Sequence, residues 1–155
     1  MIRIEASRAF PVSVTNAFRY ITELKNWNIY WPGFVRIIDS TSAQWREPGD
    51  NIILVIRLLG RNVELFMTLT DFQQDSHVFY RSSQHGLPDA EHERHWIATS
   101  DGCEYQIVVS FEPRQGLIGI FDQLVLRQSV WRTVLQTLKN LDMIFRAYHV
   151  NNKEK

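Results

Sequence analysis

"HERHWIATSDGCEYQIVVSFEP", His92 to Pro113, consists of two alternating apolar and polar runs that meet at Asp101-Gly102. That dipeptide suits a type I′ turn, so the segment reads as a β-hairpin whose register follows from the turn. With Asp101 and Gly102 at the tip, 98 opposes 105, 96 opposes 107, 94 opposes 109 and 92 opposes 111. Opposed residues share a sheet face. Tyr105, Ile107, Val109 and Phe111 form the apolar set, so His92, Arg94, Trp96 and Ala98 are expected inward with them. Glu93, His95 and Ile97 are expected outward beside Gln106, Val108 and Ser110.

Upstream of the hairpin, "FVRIID", "NIILVIRLLG", "NVELFMTLTDF" and "HVFYRSS" are β-rich runs separated by the turn signals "REPGD", "GR" and "QQDS", the pattern of a meander. Residues 2–10 alternate and stop at Pro11, which fits a first strand. Ser13 then suits a helix N-cap, because Val14, Ala17, Phe18 and Ile21 fall on one helical face. Thr22 is the expected cap of a second short helix ending near Asn28.

Downstream of the hairpin, no proline follows Gly116. Ile120, Leu124, Trp131, Val134, Leu138, Leu141, Phe145 and Tyr148 recur at three- and four-residue steps. One long amphipathic C-terminal helix covering the sheet is expected, followed by a frayed polar tail over residues 151–155. The order is strand, two short helices, about six antiparallel strands and a long helix. This is an α+β chain of one domain over residues 1–150, with helices on one face of a curved sheet.

Composition removes several function classes. Lysine plus arginine total 17 and aspartate plus glutamate total 17, so no long-range positive field attracts nucleic acid. No apolar run approaches the roughly 20 residues that cross a bilayer. The single cysteine, Cys103, has no intrachain partner, and Arg3 and Glu5 interrupt the apolar core a signal peptide needs. A cytoplasmic location is therefore expected. No G-x-S-x-G, G-x-G-x-x-G or G-x-x-x-x-G-K pattern occurs, which disfavours serine-nucleophile and nucleotide-dependent chemistry and implies no cofactor.

The element order, carried by "PVSVTNAFRYITELKNWNIYWPGF", the "GD" after "REP", "YRSSQHGLPDAEHERHW" and "SFEPRQGLIGIFDQLVLRQSVWRTVLQTLKNL", resembles the START-like or Bet v 1-like superfamily, in its polyketide cyclase/dehydrase-type branch. The resemblance implies a helix-grip fold with an apolar cavity between sheet and long helix. It also implies a hydrophobic small molecule, of lipid, polyketide or aromatic type, as partner. The five Trp, five Tyr and nine Phe are enough to line such a cavity.

In that frame the hairpin's inward residues become the candidate site. His92 and Arg94, two residues apart on an apolar wall, either form a structural ion pair with a carboxylate such as Glu64 or Asp122 or sit at a rim in water, or they orient a ligand carbonyl, enolate or carboxylate. In the last case His92 is expected to titrate near neutrality. Trp96, Tyr105, Ile107, Val109 and Tyr80 complete the wall on the sheet side, with Leu124, Arg127 and Trp131 on the helix side. Trp27, Trp31 and Leu87 are expected at the cavity mouth. A metal is not expected: the i, i+2 neighbour of His92 is the permanently cationic Arg94, and His95 lies on the other face.

Three readings remain. The first is a binding protein. The second is a cyclase or dehydratase using His92 as acid or base with Arg94 as electrostatic stabiliser, and the third is a protein-interaction module with an exposed aromatic patch at Trp27 and Trp31.

Overall fold

The computed structural model describes residues 1–42 and 44–153. Seven antiparallel strands form one sheet: β1 (Ile2–Phe10), β2 (Phe34–Ser40), β3 (Asn51–Leu58), β4 (Arg61–Gln73), β5 (His77–Ser83), β6 (Ala90–Thr99) and β7 (Gly102–Phe111). Their spatial order is β1-β7-β6-β5-β4-β3-β2. Register shifts in the β2–β3 ladder and between Leu69 and Asp71 of β4 bend the strands. The resulting curved antiparallel sheet, with short helices after β1 and a long C-terminal helix, is the helix-grip arrangement.

Helix α1 (Val14–Thr22) starts where Ser13 Oγ accepts the Asn16 N–H at 3.2 Å, and it buries Ala17, Phe18 and Ile21 as the spacing requires. The expected cap at Thr22 is not used. Its hydroxyl donates back to the Phe18 carbonyl at 2.7 Å, and a 3-10 turn (Leu24–Asn26) starts after Glu23 and leads into α2 (Trp27–Tyr30).

The hairpin keeps its faces but not its predicted register. Thr99 pairs with Gly102 and Trp96 with Tyr105, so the two tip residues are Ser100 and Asp101. The ladder is displaced by two residues, and since side chains alternate with period two, every inward residue stays inward. Gly102 is required for another reason: a Cβ there would collide with the backbone carbonyl oxygen of Phe10 at the end of β1. Ala98, predicted inward, is exposed beyond the edge of the core.

The C-terminal helix is continuous but not uniform. Helix α3 (Leu117–Phe121) passes through a π-helical turn (Asp122–Leu126) into α4 (Arg127–Lys153). Each i→i+5 turn takes up one more residue than an α turn, which changes the face presented before it. Val134, Leu138, Leu141 and Phe145 are buried as predicted. Upstream, the inward residues are Val130, Leu126, Asp122 and Gly119, while Ile120 and Leu124 are exposed. Asp122 fixes this phase: fully buried, it accepts from Arg114 Nη2 at 2.6 Å and Nε at 2.9 Å. Residues Asn151–Lys153, expected as a frayed tail, form the last helical turn, and residues 154 and 155 of that expected tail lie outside the described residues. Among the described residues no helix is long and apolar enough to cross a membrane.

Candidate functional site

Between the concave face of the sheet and the helices lies a cavity of about 170 Å³. The sheet supplies its wall through alternate residues of β6 and β7. His92, Arg94 and Trp96 face Tyr105, Ile107 and Val109 across it, as the hairpin's alternation predicts. Tyr80 joins them from β5, opposite His92.

The helix side differs from expectation. Leu124 is 69 % exposed and Arg127 is exposed, and neither lines the cavity. Trp131 packs against the core without reaching the cavity. The π turn brings Leu126 and Val130 inward in their place, followed by Thr133, Val134 and Thr137.

At the predicted mouth, Leu87 and the half-buried Trp31 do line the cavity. Trp27 instead belongs to the inner wall: it is 4 % exposed, its indole N–H donates to the Ile21 carbonyl at 3.0 Å, and Trp45 packs edge-on at 5.4 Å. The exposed Trp27–Trp31 patch that an interaction module would present is thus absent, because burial of the indole outweighs its position at a helix end.

The polar groups of this apolar chamber cluster on Tyr80. The His92 ring stacks on the Tyr80 ring with centroids 4.4 Å apart and 7° between planes. The Arg94 guanidinium lies 5.2 Å from the Tyr80 ring centroid and donates to its hydroxyl oxygen from Nη2 at 2.7 Å. Arg94 Nη1 donates to the Glu93 carbonyl at 3.0 Å and the Val108 carbonyl at 3.3 Å. Neither Glu64 nor Asp122 pairs with Arg94, and among the described residues it forms no salt bridge. A guanidinium has five N–H donors. Three are accounted for by these bonds, the Tyr105 hydroxyl also lies within hydrogen-bonding reach of the guanidinium, and every one of these acceptors is neutral.

His92 Nε2 is hydrogen-bonded to Ser82 Oγ at 2.8 Å, while the buried Nδ1 has no partner among the described residues. Burial, and then the neighbouring Arg94 charge, hold its pKa well below the ordinary imidazole value. His92 is therefore neutral at pH 7, a correction to the expected titration near neutrality: a cation two residues away and a dry wall both oppose a second positive charge. Burial raises the Tyr80 and Tyr105 pKa values against the opposing pull of Arg94, so both phenols stay protonated. Burial also pushes the Cys103 thiol up to about 11, which leaves it inert as a nucleophile at neutral pH.

The outer face holds the other strand histidines. His95 lies 3.1 Å from Glu93, and His77 lies 2.8 Å from Asp71. Among the described residues no group of three or more His, Cys, Asp or Glu side chains is arranged to hold a metal ion.

Several lining residues escaped the sequence reading, among them Trp45, Ser82 and Gln84. Ser82 had a signal, since it stands two residues from Tyr80 on the same face of β5. Trp45 had none, lying between strands where no period assigns a direction.

Residues 1–143 match the family described as polyketide cyclase/dehydrase and lipid transport. The chain belongs to that family, within the SRPBCC superfamily of START-like and Bet v 1-like proteins. No curated protein matches it by sequence. Among solved structures, TTHA0849 from Thermus thermophilus superposes with a TM-score of 0.76 at 14 % identity, over 95 % of this chain and 99 % of that one. CV1439 from Chromobacterium violaceum gives 0.70 at 15 % identity, over 92 % and 96 %. The di-domain ARO/CYC StfQ from the steffimycin biosynthetic pathway gives 0.73 at 13 % identity, over 96 % of this chain and 51 % of that one. At these identities the likeness is one of fold. Family membership is consistent with binding of a small hydrophobic ligand or with a cyclase role.

Proposed function

We propose that the protein binds a hydrophobic small molecule in this cavity and that the ligand brings a hydrogen-bond acceptor, a carboxylate or an enolate-like oxygen, to Arg94. The observation that carries this reading is a guanidinium on an apolar wall that meets only neutral acceptors and no carboxylate among the described residues. Taking such a charge from water unpaired costs several kcal/mol, roughly, and an anionic ligand group offsets that cost. Tyr80 adds a further donor, since its oxygen already accepts from Arg94 and its O–H remains to be placed. The size also bears on the ligand. Roughly 150 Å³ of apolar cavity accommodates benzene, whereas drug-sized sites run from about 300 to 1,000 Å³. A one-ring aromatic acid suits the volume of about 170 Å³, and a multi-ring compound would require the mouth to widen.

Acid–base cyclisation or dehydration in the same chamber is the second reading, favoured by the family's description and by the contact of Arg94 with Tyr80. In it Arg94 stabilises an enolate oxygen and His92 acts as base. The depressed pKa of His92 and its enclosed Nδ1 make it a weak base, so binding is preferred.

The test is quenching of tryptophan fluorescence by cinnamate and by cinnamamide, which share a shape and differ in charge. Tighter binding of cinnamate by about tenfold or more, as two charge-assisted hydrogen bonds require, supports the reading. Equal affinity, or binding of neither, overturns it.

A further inference from the structure

The segment 117–125 has its polarity reversed. Asp122 and Gly119 point inward, whereas Leu117, Ile118, Ile120, Phe121, Leu124 and Val125 are exposed, Leu117 to 85 %. A surface helix ordinarily turns such a stripe to the core. A contiguous exposed apolar face of this kind marks an interaction surface.

Its position adds meaning. In the antiparallel sheet β7 ends at Phe111 at the same end as the Leu59–Gly60 turn between β3 and β4 and the loop between β5 and β6. Arg114, which precedes α3, donates to the Gly86 carbonyl of that loop. Leu58, Leu87 and Leu126 line the cavity at this end, while Leu59 and Val125, the chain neighbours of Leu58 and Leu126, are exposed together with Leu124. Exposed apolar side chains and cavity lining thus come from the same segments at this end.

The unpaired charges here have a cationic excess. Arg57 and Arg61 flank the β3–β4 turn and Arg127 follows the π turn; all three are exposed and form no salt bridge among the described residues. Of the acids nearby, Glu112 pairs with the amino terminus and Asp122 is held by Arg114. Asp89 and Glu64 remain to offset three arginines.

We propose that this end of the molecule docks on an anionic membrane surface. The apolar face of α3 and the π turn enters the boundary between headgroups and acyl chains, and Arg57, Arg61 and Arg127 meet the lipid phosphates. An apolar helical face fringed by cations is the pattern of an interfacial element. The cavity mouth then opens toward the bilayer, from which a hydrophobic ligand enters without crossing water. Docking does not depend on what the cavity holds, so it stands or falls apart from the ligand reading.

The test is cosedimentation of the full chain with vesicles of phosphatidylcholine, with and without phosphatidylglycerol, at low and high salt, alongside sedimentation velocity without lipid. The protein is expected to pellet with phosphatidylglycerol vesicles, weakly with phosphatidylcholine alone, and less at high salt. Leu117→Asp with Leu124→Asp, both at exposed positions, should lower partitioning about tenfold or more with the fold kept by circular dichroism. Arg57→Gln and Arg61→Gln should each lower it about fivefold on phosphatidylglycerol vesicles only. The proposal is overturned if the wild type stays in the supernatant or the aspartate variant partitions like it. It is also overturned if the wild type is a dimer that the aspartate variant separates, which would make a second copy the occupant.

Discussion

Replacing Arg94 by methionine separates a structural arginine from a ligand-binding one. Methionine keeps most of the aliphatic stem, so packing against Tyr80 and Ile107 changes little. The lost contacts are three hydrogen bonds to neutral acceptors at 2.7, 3.0 and 3.3 Å. Each contributes about 1.5 kcal/mol net, because the donor is charged. Against this, a guanidinium with no carboxylate partner no longer has to be desolvated, a relief of several kcal/mol, roughly. The two nearly cancel, so folding stability should change by no more than about 1 kcal/mol. Binding should behave in the opposite way. Two hydrogen bonds from a charged donor to a ligand carboxylate contribute about 1.5 kcal/mol or more each, so cinnamate affinity should fall about 100-fold while cinnamamide affinity hardly moves. Urea unfolding gives the first quantity and tryptophan quenching the second. A stability loss of about 3 to 5 kcal/mol with an unchanged preference for carboxylate over amide would refute the reasoning, because that is the cost of orphaning a paired buried charge.

Other substitutions test the supporting structure. Because the His92 pKa is depressed in the folded chain, the unfolded chain binds a proton first as pH falls below about 6.5; stability should decline below that pH, and His92→Asn should flatten the decline in urea titrations. Arg114→Met leaves the fully buried Asp122 without its cation and should cost about 3 kcal/mol in thermal or urea unfolding, more than Arg127→Met at an exposed position, which should cost under about 0.5 kcal/mol. Gly102→Ala places a methyl against the Phe10 carbonyl oxygen, a backbone atom that cannot swing aside, and should destabilise by about 3 kcal/mol or prevent folding; a wild-type melting temperature would refute the close approach.

The sheet and its inward face were legible because period-two alternation survives an error of register. Asp101-Gly102 looked like the turn, yet the glycine answers to the end of β1, a neighbour that no local pattern reveals. Displacement by two residues left His92, Arg94 and Trp96 on the predicted side. The helix carried no such protection. Its predicted stripe ran at a constant α period through Ile120, Leu124, Arg127 and Trp131, and one π turn moved the inward positions to Leu126 and Val130. What holds that turn is the pairing of Asp122 with Arg114, in which an acid is buried and leucines are left outside, the reverse of what hydropathy suggests. At the expected cavity mouth Trp31 and Leu87 line the chamber, whereas Trp27 is bonded through its N–H to the Ile21 carbonyl and sits inside the wall, a contact no local pattern reveals.

The most direct test of the ligand reading is native mass spectrometry of the freshly purified chain, with the released molecule identified after denaturation. One organic acid per chain, lost from Arg94→Met purified alongside, is the predicted result. A stoichiometric metal ion, a bound neutral molecule retained equally by Arg94→Met, or a bare chain that also takes up no added aromatic acid would contradict it.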